Sequence, residues 1–290
     1  MAVIWELDFY SRPILDEQGK KLWEVVVCES PQSITRSPDT LFRYAKFCSA
    51  TQVNSVWLRE ALEEAIAKGG HPPNRIRFFR RQMNNMIKKA CGELGIDALP
   101  SRRTYALNQW LQERVQKFYP TVPGYQEGQA NPIASLTTFE TALPQPLPDA
   151  LIGQQWAFVN LEAGAFDEMS DWAIDFSEAF PLQLAGITPT MLIPGVIIFS
   201  SRALPMAGWI SGLEMAFLRF VDAPARLILE TGAAESWLLA NLSAPQMQTE
   251  AQAFETAKQQ ANGVHFLAVQ TDPRSETFAG FWLLQEVNLA

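Results

Sequence analysis

Cysteine and histidine are scarce: Cys28, Cys48, Cys91, His71 and His265 are all that 290 residues contain. Three scattered thiols cannot form a disulfide framework, and two histidines give no zinc spacing, so no zinc centre is expected, and no cofactor is nominated. Sparse cysteine fits a reducing compartment. Long apolar runs are also missing. None reaches the roughly 18–20 residues that a membrane-spanning helix needs, and the closest, residues 191–200, has the length of a strand. The start, Met1-Ala2-Val3-Ile4-Trp5-Glu6, has no basic region leading into an apolar run, so no signal peptide is expected. Gly-x-Ser-x-Gly, Walker and dinucleotide fingerprints are absent. The expectation is a soluble, intracellular protein.

Positive charge is scarce in one half only. Residues 1–145 hold 18 Lys and Arg against 15 Asp and Glu, a net of +3. Residues 146–290 hold 5 against 16, a net of −11, and the two halves sum to the chain's −8. Eight cations crowd into residues 75–103: Arg75, Arg77, Arg80, Arg81, Lys88, Lys89, Arg102 and Arg103. Only Glu93 and Asp97 oppose them, so this window carries a formal +6. Cations interleaved with aromatics are the footprint of a polyanion site, and RNA is the obvious polyanion. Lys and Arg would meet phosphates, while Phe79 or Tyr105 would stack on an unpaired base. The competing reading is a solvated surface whose cations pair with neighbouring carboxylates.

The length suits two domains. The pattern predicts strands over residues 5–14 and 22–29, joined as a hairpin by Asp16-Glu17-Gln18-Gly19-Lys20. Helices are expected over 57–67, with Asn54 or Ser55 as cap, and over 82–94 and 105–119, with a short strand over 75–79. Residues 120–149 contain Pro120, Pro123, Pro132, Pro144, Pro146 and Pro148 with little periodicity, and read as a linker. The expected organisation is therefore a basic first domain over 1–119, a linker over 120–149 and an acidic second domain over 150–290. In the second domain, strands are expected over 156–163, 196–200, 225–230, 264–270 and 278–284, and helices over 205–220 and 245–261. The fold class is α/β (mixed α+β), each domain a mixed sheet with packed helices.

The hairpin and the alternation after it are compatible with a ribonuclease-H-like first domain. Glu6 and Asp8 share one face of the first strand, and paired carboxylates can hold Mg²⁺ for a metal-dependent nuclease. Alternating acidic and apolar residues are equally the pattern of a half-exposed strand. His265 lies mid-strand and reads as a core histidine. Trp282 in the last strand reads as buried, with an exposed contact edge as the alternative.

Several stretches occur together in consistent order. They include Glu6-Leu7-Asp8-Phe9-Tyr10-Ser11-Arg12-Pro13, Phe78-Phe79-Arg80-Arg81-Gln82-Met83 and Pro100-Ser101-Arg102-Arg103. Further on come Ser200-Ser201-Arg202-Ala203, His265-Phe266-Leu267-Ala268-Val269-Gln270 and Trp282-Leu283-Leu284. The set resembles a family shared by cyanobacteria and the chloroplasts of algae and plants. Its chloroplast members are A+U-rich RNA-binding proteins that activate translation of a photosystem I reaction-centre messenger and support biogenesis of both photosystems. The resemblance implies a cyanobacterial member, since no plastid transit peptide is recognised. It further implies single-stranded RNA as ligand, translation or photosystem-assembly proteins as partners, a place in the cytoplasm or at the thylakoid surface, and no catalytic residues. The alternatives are a metal-dependent nuclease, or an inactive remnant of one, and a protein-interaction scaffold.

Overall fold

A computed structural model describes residues 3–128, 143–151 and 153–287. These form two compact units: residues 3–31 and 38–128 in the first, and residues 32–37, 143–151 and 153–287 in the second.

The first unit runs β1 (Ile4–Leu15), β2 (Lys21–Glu29), β3 (Arg43–Cys48), α1 (Ser55–Gly69), β4 (Arg75–Phe78), α2 (Asn84–Glu93), β5 (Asp97–Pro100) and α3 (Tyr105–Glu113). A π-helical turn, Arg114–Phe118, continues α3. The strands make one mixed sheet in the order β3-β2-β1-β4-β5. β2 runs antiparallel to β1 and β3, while β4 and β5 are parallel to β1. The sequence dictates much of this layout locally. The Asn54 side chain accepts the Trp57 N–H at 2.9 Å and starts α1. Gly70, at φ +80°, ends α1 by donating its N–H to the Ile66 carbonyl at 2.9 Å. Leu58, Ala61, Leu62 and Ala65 between them recur at helical spacing and are fully buried.

Alternation along β1 separates two unlike faces. Trp5, Leu7 and Phe9 join Val25, Val27, Ile76 and Phe78 in an apolar core under α1 and α2. Glu6 and Asp8 point the other way, toward α3, and are 1% and 0% exposed. The expectation of a half-exposed strand is thus corrected: helices cover both faces of the sheet, so the charged face is also removed from water.

The second unit contains β6 (Gln145–Pro146), β7 (Gln155–Glu162), β8 (Ile174–Glu178), β9 (Leu192–Phe199), α4 (Ala203–Ser211) and β10 (Met215–Asp222). It continues with β11 (Ala225–Thr231), β12 (Glu235–Asn241), α5 (Pro245–Gln260), β13 (Val264–Gln270) and β14 (Phe278–Gln285). There are two sheets here rather than one, β7-β9-β13-β14-β8 and β10-β11-β12-β6. The helix expected over 205–220 is cut short. α4 ends at Ser211, and β10 follows it and pairs antiparallel with β11. Gly212 breaks the helix, and the run Met215-Ala216-Phe217-Leu218 that follows has the length and apolarity of a core strand, which helical periodicity alone does not distinguish. Part of the expected 120–149 linker, residues 129–142, lies outside the described residues, while Gln145–Pro146 adds a short strand beside β12.

β13 is buried throughout, between β9 and β14. Trp282, Leu283 and Leu284 on β14 are 1%, 0% and 0% exposed, so they form part of the core. Gly195 on β9 is a close-approach position: a Cβ there would lie 2.3 Å from the Phe266 ring. No described helix is long and apolar enough to cross a membrane.

Candidate nucleic-acid interface

The ten residues nominated from sequence divide by depth. β4 turns Ile76 and Phe78 into the apolar core and Arg77 onto the opposite, charged face, where it is 3% exposed. Arg80 and Arg103 are also buried, as are Phe79 and Tyr105. Arg75 and Arg102 are half-buried, and Arg81, Lys88 and Lys89 are exposed. Arg75 pairs at 3.4 Å with Asp97, its neighbour across the β4–β5 ladder. Lys88 and Lys89 lie on α2, which packs on the apolar face, while Arg77, Arg80 and Arg103 gather on the α3 face. β4, α2 and the segment leading into α3 therefore do not present all eight cations to one groove. Each of the two aromatics lies beside a cation: the Arg80 guanidinium is 5.1 Å from the Phe79 ring centre, and that of Arg103 is 5.3 Å from Tyr105.

The α3 face holds a buried ion network. The Asp8 carboxylate accepts from Arg80 Nε at 2.5 Å and Nη2 at 3.3 Å, and Arg12 Nη1 lies 2.9 Å away. Arg12 Nε also donates to Glu24 at 3.0 Å. Glu24 is reached by Arg114 from the π-helical turn and by the Tyr119 hydroxyl at 2.7 Å. Arg80 further stacks on Tyr10, 3.8 Å from the ring centre. Burial alone would push the Asp8 carboxyl up, but Arg80 and Arg12 outweigh it and hold the group below the ordinary carboxylate range. Glu6 differs. Burial raises it from 4.5 to about 7, despite the Leu107 N–H it accepts at 2.8 Å and despite nearby Arg77 and Arg103.

These contacts bear on the nuclease alternative. A divalent ion at Asp8 would have to displace two guanidinium groups already seated there. Among the described residues no group of three or more His, Cys, Asp or Glu side chains is arranged to hold a metal ion.

Sequence reasoning missed Arg12, Glu24, Arg114 and Tyr119. Arg12 had a faint signal, as a cation four residues after Asp8 on a predicted strand. Arg114 and Tyr119 had none, because their partner Glu24 is 90 and 95 residues away. A second cation–aromatic surface, at the β3 edge, was also missed. There Arg43 lies 5.4 Å from the Trp110 ring centre, Lys46 lies 5.6 Å from Trp57, and Phe47 stacks on Phe118 at 6.4 Å.

In the second unit His265 is structural. Its Nε2 accepts the Leu218 N–H at 2.8 Å and its Nδ1 lies 2.8 Å from the Gly263 carbonyl, which places the proton on Nδ1. Lys258 is buried and held by the Leu218 carbonyl at 2.8 Å, Glu255 at 2.7 Å and Glu286 at 2.6 Å.

Two family descriptions match the sequence. Residues 4–114 match "RNA-binding protein Tab2/Atab2 N terminal", and residues 134–285 match "RNA-binding protein Tab2/Atab2, C-terminal domain". The chain is 40% identical over 290 residues to the chloroplastic TAB2 homolog of Zea mays, covering 98% of this chain and 71% of that protein. It is 41% identical over 287 residues to the chloroplastic TAB2 homolog of Arabidopsis thaliana, covering 97% and 74%. Among solved structures, the HTLV-2 integrase catalytic core domain aligns at 16% identity with a TM-score of 0.27, covering 41% of this chain and 75% of that one, a likeness too slight to argue from.

Proposed function

The chain belongs to the Tab2/Atab2 family of RNA-binding proteins, and from that premise we propose that it binds A+U-rich single-stranded RNA. In this reading it supports translation of a photosystem reaction-centre messenger and biogenesis of photosystems I and II, without catalysing a reaction. The observation that carries the reading is that both halves of the chain match one RNA-binding family, in order. The charge division supports it: net positive charge is confined to the first half, and Arg81, Lys88 and Lys89 reach its surface, with Arg75 and Arg102 half-buried. These five are the phosphate contacts we propose. Buried Arg77, Arg80, Arg103, Phe79 and Tyr105 would act beneath them by holding the framework. The preference for A+U and the photosystem messenger rest on the family resemblance. The acidic second half, at −11, would meet partner proteins of translation or photosystem assembly rather than RNA.

The non-catalytic part of the reading is supported by the commitment of Asp8 and Glu24 to guanidinium partners. Filter binding of labelled A+U-rich and G+C-rich single strands tests the proposal. Binding at low salt, tighter for the A+U strand and with the strand intact after long incubation with Mg²⁺, is expected. Absence of binding at low salt contradicts the RNA reading, and metal-dependent cleavage lost in Asp8→Asn contradicts the non-catalytic one.

A further inference from the structure

We propose that the β3 edge of the first unit, with α3 and its π-helical turn, is a base-stacking surface for single-stranded RNA. This rests on the RNA-binding reading and assigns it a place that the basic window does not include. β3 is an edge strand, and Arg43, Ala45 and Phe47 alternate onto the face that carries α3. The helix meets the strand at two points. Trp110 takes the Arg43 guanidinium at 5.4 Å, and Phe118 takes the Phe47 ring at 6.4 Å with 14° between the planes. Four residues of strand separate these points by about 13 Å, enough for two separate bases rather than one.

Phe118 is 39% exposed, one of few large apolar side chains so placed among the described residues. It is also well supported. The Arg114 guanidinium lies 4.2 Å from its ring centre, and Arg114 is in turn anchored to buried Glu24. A rigidly held, partly exposed ring is what stacking on an unpaired base requires, since every base offers a π-face and little ordering is left to pay for. On the other face of the strand, Lys46 lies 5.6 Å from Trp57, and Lys68 lies 4.9 Å from Tyr44.

Charge complementarity points to a polyanion. Arg43 on the α3 face, and Lys46 and Lys68 on the other face of the strand, stand at this edge against Glu64 and Glu113. The two carboxylates are 48% and 38% exposed and hold Lys46 at 2.5 Å and Arg43 at 3.3 Å. Ion pairs at that exposure contribute little, so phosphates can take over the cations at small cost.

The test uses the full chain and an A+U-rich 20-nucleotide single strand carrying 4-thiouridine. Cross-linking followed by peptide mapping should place adducts within residues 43–47 and 110–118. In parallel, fluorescence anisotropy should show about tenfold weaker binding for Phe118→Ala, with affinity kept in Phe118→Trp, since one stack is worth about that factor. Wild-type cross-linking needs no variant to fold, so a destabilised Phe118→Ala does not spoil the result. If the wild type binds but its adducts map elsewhere and Phe118→Ala binds equally well, the stacking surface is overturned while RNA binding stands. If the wild type binds no RNA at low salt, the functional reading itself falls, and this inference with it.

Discussion

Replacing Arg80 by Met tests whether the charged face of the first sheet is a structural lock. Asp8 is 0% exposed and Arg80 is 2% exposed, and Arg80 makes two of the hydrogen bonds that the Asp8 carboxylate accepts. Removing one partner of a buried ion pair costs about 3–5 kcal/mol, because the other charge is left without compensation in a poorly solvated place. Arg12 remains 2.9 Å from Asp8 and keeps part of that charge neutralised, so the lower end is expected. A loss of about 3 kcal/mol lowers Tm by roughly 10 °C in a unit of this size. Calorimetry and denaturant unfolding of wild type, Arg80→Met, Asp8→Asn and the double variant complete a cycle. The pair should couple by about 2 kcal/mol, with the double variant less damaged than the sum of the singles. Folded Arg80→Met should keep near wild-type RNA affinity. Single effects that add within about 0.5 kcal/mol would refute the lock, and a stable Arg80→Met with lost RNA binding would show Arg80 to be a phosphate contact after all.

Glu6, raised from 4.5 to about 7 by burial, binds its proton more tightly in the folded chain than in the unfolded one, so its contribution to stability falls as pH rises from about 4.5 to about 7. Glu6→Gln, which keeps an acceptor for the Leu107 N–H, should flatten that fall, which is about 3 kcal/mol at most; denaturant midpoints at pH 5 and pH 8 check it, and equal slopes in both proteins would contradict it. Asp8, held low by Arg80 and Arg12, acts in a separate window and loses its contribution only as pH falls below the ordinary aspartate range. Trp282→Ala should cost about 3–5 kcal/mol by opening the second unit's core, and a change within experimental error in thermal unfolding would show that the tripeptide is not structural. Gly195→Ala, which sets a Cβ 2.3 Å from the Phe266 ring, should destabilise through overpacking by about 1–3 kcal/mol, and unchanged stability would mean that the sheet yields there freely.

Much of the first unit was legible because its signals are local. Asn54 and Gly70 bracket α1, and the turn after residue 15 sets the hairpin. β3 and β5 were not read from the sequence; six and four residues give few positions to show a period, and the equally short β4 was read with Pro72-Pro73 marking its start. β8 is different: Ile174 and Phe176 alternate with Asp175 and Ser177, a pattern that was present but short. The helix expected over 205–220 failed because an apolar run carries no period of its own. For the site, the cation cluster was visible but its depth was not. Whether Arg80 or Arg81 meets water depends on Asp8 and Tyr10, about seventy residues earlier in the chain, and on α3 covering the face. The β3-edge aromatics were invisible for the same reason, because Phe47 and Phe118 meet only once the sheet and helix have packed.

The most direct test of the central claim is the salt dependence of RNA binding by wild type and by Arg81→Gln/Lys88→Gln/Lys89→Gln. Each phosphate contact on a single strand adds roughly −0.7 to the slope of log K against log salt, so losing three should make it shallower by roughly 2. That change in slope, with weaker binding by the variant at low salt, is what the account predicts. Equal slopes and equal affinities, or no binding by either protein, would contradict it.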